Sequence, residues 1–538
     1  MYDNVSIMLT KAIQKLISSL INFAPANYYV GAETNRVHVD AFVSGIAKIY
    51  EKIRNAIDYK EEHLLRKNAI FRIIQRRLMI RISTNQISLG LIKELIRGGY
   101  IENDLIPQKK VDQVQKIIEK YIALYNLSGS KRNNGEGQKL FKWLLEICAC
   151  EVEEAITPPL QERAMVEFVY QLMRPQINIA DKEFSEKEKD LHIYIAIYRA
   201  MVKLDVAMMN YLLFKYYYPG WANVDHTQVM LVAKKIRNLK KEIIRQQNHP
   251  IGERLVKVIK KYSFVFFVLR DIILADPKKA QEIFNNPQEL EYQIRSTCEK
   301  LYKKAKTKLR RSIVRVTIYI FITKMMLALV LEFPYDYYIA KQVAYLPLLI
   351  NAIFPPLLMV FIGTFIRVPA KKNTNRVVGL AQEAVYQNKI SGIKGLGQTG
   401  RRTSFLTLAF YILYLTLFSI SFGVLIYILI SLGFNIFSML IFLLFLSIIS
   451  FFGIKLRLNI RDLTVVDKKE SWPMFLFQLF SLPFLNVGHW VSVKFSKINL
   501  FVFILDFIIE APFKIFLEVI EDWISFLREK KEEMYSQE

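Results

Sequence analysis

Residues 316–336, VTIYIFITKMMLALVLEFPYD, place one lysine, Lys324, inside an apolar run of the roughly 20 residues that a helix needs to cross a hydrocarbon core. Three further runs follow, at 343–366, 405–430 and 435–454, whereas residues 1–312 contain none. In lipid a lone strand leaves its backbone polar groups unsatisfied, so all four runs are expected to be helices. The chain therefore reads as all-α. A large soluble helical head over 1–312 is followed by a first transmembrane hairpin over 313–366, a basic connection over 367–404 and a second hairpin over 405–454. Residues 455–538 are left for a re-entrant or interfacial segment and an amphipathic C-terminal helix. A length of 538 residues accommodates at least two structural units, with the hydropathy step near 312 as the expected boundary.

Charge sets the expected orientation. The connection between the second and third runs carries Arg367, Lys371, Lys372, Arg376, Lys389, Lys394, Arg401 and Arg402 against one acid, Glu383. By the positive-inside rule it belongs in the cytoplasm. The segment after the fourth run, with Lys455, Arg457, Arg461, Lys468 and Lys469, points the same way. Head, connection and C-terminus are thus expected inside a cell (cytoplasmic) membrane, with short outward turns at 334–341 and 431–434. The formal net charge of +25 fits anionic lipid at the membrane border better than nucleic acid, for which no reading fold is visible.

Within the head, apolar residues recur at three-and-four spacing, as in Phe42, Ile46, Ile49, Ile53 and Ile57, the pattern of helices with one buried face. Turn chemistry at Gly98-Gly99, 128–137 (SGSKRNNGEG), Thr157-Pro158-Pro159, Arg174-Pro175, Tyr218-Pro219-Gly220, His249-Pro250 and Asp276-Pro277 divides it into roughly ten helices. Cys148, Cys150 and Cys298 match neither a disulfide framework nor a zinc ligand set. The six histidines include no i, i+4 pair, so no metal and no cofactor are expected. Tyr211, Tyr216, Tyr217, Tyr218 and Trp221 crowd one stretch beside Lys215, and the expectation is an aromatic cluster packing on its own core.

Several residues carry candidate chemistry. Lys324 is ionisable in mid-span; charged and unpaired in lipid it costs about 2.5–3.5 kcal/mol, which implies a buried partner. Glu332 and Asp336 lie more than two helical turns along the same run, which leaves Asp506 or Glu510 as partners if the C-terminal helix is embedded. Asn351 precedes the tandem Pro355-Pro356, a pair expected to break the second span near the midplane, as transporters expose backbone to ions. Lys303, Lys304, Lys306, Lys308, Arg310 and Arg311 precede the first run and suit anionic headgroups. Gly395, Gly397 and Gly400 match G-x-G-x-x-G but run into a span instead of sitting in a βαβ unit, so a flexible, lipid-facing loop is expected. Residues 472–493, interrupted by Pro473, Pro483 and Gly488, read as re-entrant or interfacial. Beyond them Asp506, Glu510, Lys514 and Glu518 form an i, i+4 stripe on an apolar helix expected to lie in the interface.

No nucleophile elbow, P-loop or metal-binding helix occurs, so no enzyme is expected. The leading expectation is a membrane-anchored scaffold or adaptor binding proteins through its head and anionic lipid through its basic border. The alternative is a small transporter or channel subunit built on Lys324 and the second span, which would need a homo-oligomer to form a pathway. A second alternative, a lipid-modifying enzyme, draws on His489, Asp506 and Glu510.

Overall fold

The computed structural model describes residues 9–21, 35–57, 62–79, 87–130, 135–179, 185–340, 345–393, 395, 404–466 and 472–497, and nine single positions between Pro512 and Lys530. Among them there is no named strand, and the fold is all-helical as expected. The chain first forms α1 (Lys11–Ile21), α2 (Ala41–Ile57), α3 (Glu62–Met79), α4 (Ile87–Arg97), α5 (Gln108–Leu127) and α6 (Gly135–Ile156). There follow α7 (Leu160–Met173), α8 (Glu186–Met201), α9 (Val206–Tyr217), α10 (His226–Gln247), α11 (Pro250–Ala275) and α12 (Ala280–Asn285). The remainder is α13 (Pro287–Leu327), α14 (Tyr345–Phe365), α15 (Lys371–Tyr386), α16 (Ser404–Ser431), α17 (Ile436–Arg461) and α18 (Trp472–Lys497).

All seven turn signals fall at helix boundaries. Local chemistry explains the starts: Ser185 and Glu188 form a reciprocal capping box on α8, Asp205 and Asp225 cap α9 and α10, and Asn286 caps α13 with Pro287 in its first turn. Twelve described α-helices precede Pro287, against the roughly ten expected. The hydropathy step near residue 312 falls inside α13, a helix about 61 Å long at 1.5 Å per residue.

Two compact units are formed. The first combines Met1–Ile17, Gln171–Phe184 and Lys257–Asn499; the second combines Ser18–Tyr170, Ser185–Val256 and Leu500–Glu538. The second unit is built around α6, which packs against α3, α5 and α9. Its core joins Ile70, Leu91, Ile118, Leu144, Phe214 and Ile236. Trp221 is buried against Phe214 and Tyr121, and Tyr211 is buried as well, so these two of the aromatic cluster are core as expected; Tyr217 and Tyr218 are partly buried against that core and Tyr216 is exposed. Burial pushes the Cys148 and Cys150 thiols well above their ordinary range, and both cysteines are free.

The first unit contains the apolar helices. Four described segments are long and apolar enough to cross a membrane: Pro287–Glu332, Tyr345–Phe365, Phe405–Ser431 and Ile436–Arg461. Ile320 of α13, Met359 of α14 and Ile441, Phe445 and Ile449 of α17 make their shared core. Small residues set the approach distances: a Cβ on Gly363 would meet Ile313, one on Gly453 would meet Ile362, and one on Gly488 would lie 2.1 Å from the Ser447 carbonyl oxygen.

Three expectations are overturned by the helices themselves, those for the tandem proline, the outward turn and the basic connection. Pro355 and Pro356 do not break the second span: α14 runs through both, and both are buried. A hydrocarbon surround offers the displaced backbone no water, so the helix keeps its remaining hydrogen bonds and is supported by its neighbours. The outward turn expected at 334–341 is helical through Ala340, in wide π-type turns over Ala328–Glu332 and Tyr335–Ala340. Residues 472–493, read as re-entrant or interfacial, fall within the single helix α18, which lies along α17 because Gly488 permits contact with the Ser447 backbone. The basic connection is not a flexible loop throughout: Lys371–Tyr386 is helix α15, packed on α13 through an apolar face that includes Val377, Leu380, Ala381 and Ala384. Gly397 and Gly400 lie outside the described residues, and Gly395 sits near the Asn178 backbone.

Candidate functional site: a buried ion pair and a basic ridge

Lys324, expected to need a buried partner, has one. Its Nζ donates to Glu332 Oε1 at 2.6 Å, and neither side chain is accessible. The carboxylate's other oxygen, Oε2, accepts from Asn351 Nδ2 of α14 at 3.1 Å, and the same Nδ2 lies 3.2 Å from the Ser438 carbonyl oxygen of α17. Lys324 Nζ also sits 5.1 Å from the centre of the Phe445 ring. One carboxylate thus ties α13, the π-turn segment, α14 and α17 together inside the apolar unit.

This overturns the expectation that Asp506 or Glu510 serves Lys324. Eight residues of regular α-helix would set Lys324 and Glu332 about 80° apart around the axis. The wide turn over Ala328–Glu332 takes up part of that rotation and brings the carboxylate round to the lysine. Asp506 and Glu510 lie outside the described residues. The polar ends of Asn351 are fixed by their neighbours: only an NH2 group can face both the Glu332 carboxylate and the Ser438 carbonyl. Asn351 Oδ1 is then a buried acceptor with no partner among the described residues.

The six basic residues before the first span are all exposed on α13. Lys306, Thr307, Arg310, Arg311, Val314 and Arg315 share one open face of α13. Cationic side chains on one helix face, immediately before the helix turns apolar, offer point and forked donors to a phosphate.

Residues with no sequence signal also emerge. Asn373, at the start of α15, donates to Tyr302 Oη at 2.8 Å and to the Leu463 carbonyl at 2.9 Å, and its Oδ1 accepts from the backbone N–H groups of Val465 and Val466. It pins the segment after α17 to α13 and α15. An isolated asparagine among basic residues looks like loop composition, and only the fold makes it a junction. His489 rests 5.4 Å from the Phe451 ring centre on α17. Among the described residues no group of three or more His, Cys, Asp or Glu converges as a metal site. Comparison with protein-family models, curated proteins and solved structures finds no match to this chain, so the functional reading stands on these residues.

Proposed function

We propose that this protein is a membrane-anchored scaffold that holds anionic lipid on the basic ridge of α13 and presents its helical second unit to protein partners on the cytoplasmic side of a cell membrane. The observation that carries the reading is the exposed basic face formed by Lys306, Arg310, Arg311 and Arg315 at the start of the apolar part of α13. Each such charge near an anionic surface contributes about 1 kcal/mol, so removing three weakens lipid retention on the order of 100-fold at low salt. The test is native mass spectrometry of the full-length protein with anionic and zwitterionic lipids, comparing it with Lys306→Ala/Arg310→Ala/Arg311→Ala. Selective loss of anionic lipid supports the reading; equal retention of both lipid classes by both proteins overturns it.

A small transporter or channel subunit is the second reading, favoured by one observation: Asn351 Oδ1 is an unmatched acceptor beside a buried Lys–Glu pair. Its test is flux through the reconstituted protein, with Lys324→Met/Glu332→Leu as the variant that removes both charges together. Unchanged flux in that variant sinks a transport role for the pair.

A further inference from the structure

We infer that the C-terminal segment around Trp523 is an in-plane lipid anchor, with an aromatic ridge seated in the membrane interface. The described positions from Pro512 to Lys530 are helical. Ile520 and Ile524, one turn apart, pack on Ala47 of α2, as does Ile46. That contact uses one edge of the apolar face. Phe516, Val519, Trp523, Phe526 and Leu527 occupy the rest of it, and all five are exposed, Trp523 by 62%. Their spacing, i, i+3, i+7, i+10 and i+11, keeps them in one continuous stripe.

The occupant follows from three features. The stripe is rich in aromatic side chains and includes a tryptophan, a residue type that concentrates at the headgroup level because its ring has both an apolar body and a polar N–H. Lys530 Nζ lies 6.0 Å from the Phe526 ring centre, so positive charge stands at the end of the ridge, at the level where a headgroup layer would meet it. Finally, only residues 498–511 separate the end of α18 from Pro512, a chain that spans about 50 Å at full extension. Along the chain the start of the segment is therefore never farther than about 50 Å from the end of α18. The inference is independent of the headgroup site on α13, since it rests on apolar insertion.

The test is accessibility of a spin label on the full-length protein in zwitterionic nanodiscs, where the α13 ridge has no anionic lipid to hold. Trp523→Cys is compared with Phe361→Cys on the exposed face of α14 and Leu231→Cys on the exposed face of α10. The three native cysteines are buried and supply no competing site. Trp523→Cys is expected to resemble Phe361→Cys, open to molecular oxygen with loss of access to a water-soluble nickel chelate. Access to the nickel chelate matching Leu231→Cys overturns the inference. So does protection from both reagents, which indicates cover by protein or a second copy. A Val519→Cys label, on the same ridge, keeps the test decisive if Trp523→Cys is poorly produced.

Discussion

Replacing Glu332 by leucine strands the Lys324 ammonium in the interior of the apolar unit. The wild-type pair is fully enclosed, and its 2.6 Å hydrogen bond is the lysine's link to a carboxylate. Breaking a buried pair by removing one partner costs about 3–5 kcal/mol. Insertion scales for an unpaired lysine in lipid give a floor of about 2.5–3.5 kcal/mol. Asn351 adds little, since its Nδ2 keeps the Ser438 carbonyl. Lys324→Met, which leaves the carboxylate with only Asn351, is expected to cost a similar amount. The double variant Lys324→Met/Glu332→Leu buries no charge and fills similar volume, so it should return to within about 1–2 kcal/mol of wild type. Equilibrium unfolding in mixed micelles, followed by the fluorescence of Trp472 and Trp490 in the same unit, measures all three. The two single losses should sum to several kcal/mol more than the double. Near-neutral singles, or a double variant as unstable as their sum, would refute the idea of a closed pair holding the span helices together.

Other consequences are more local. Gly488→Ala should destabilise the packing of α18 on α17 by about 1–3 kcal/mol, because the new Cβ meets the Ser447 backbone, whereas Gly423→Ala, with open space around it, should change little; melting in detergent separates the two. Asn373→Ala leaves the buried Val465 N–H without its acceptor and should cost about 1–3 kcal/mol in the same assay. Burial, together with the neighbouring His249, lowers the His192 imidazole from 6.5 to about 4. Its folded value lies below its unfolded one, so the stability linked to neutral His192 is complete above about pH 6.5 and is lost as pH falls toward 4, with Glu188 opposing the shift. The full effect is on the order of 3 kcal/mol, and His192→Gln should flatten the fall in stability of the second unit across that window.

The all-helical class, the four apolar segments and the seven head boundaries marked by Gly or Pro were legible because each depends on short-range pattern: hydropathy, three-and-four spacing and turn chemistry; others, such as the break between Met201 and Val206, carried no such mark. Lys324 and Asn351 were legible as polar residues in an apolar surround. Their pairing was not, since it depends on a π-turn over Ala328–Glu332 that shifts rotational phase without any distinctive residue to mark it. Proline in sequence reads as a breaker, yet Pro355, Pro356 and Pro483 all lie within helices; for the tandem pair, in a candidate span, an apolar surround and neighbouring helices remove the aqueous alternative. Gly488 read as a weak point in α18 and instead is the contact that lets it lie on α17. Asn373 had no signal because its partners, Tyr302, Leu463, Val465 and Val466, come from segments on either side of it in the chain.

The scaffold reading is tested most directly by extracting the tagged full-length protein into native nanodiscs and applying cross-linking mass spectrometry to what accompanies it. The account predicts a stoichiometric protein partner cross-linked to the unit formed by Ser18–Tyr170 and Ser185–Val256, together with anionic lipid that is lost with the Lys306, Arg310 and Arg311 charges. A homo-oligomer carrying neither a partner nor selective lipid, and supporting ion flux abolished by Lys324→Met/Glu332→Leu, would contradict it.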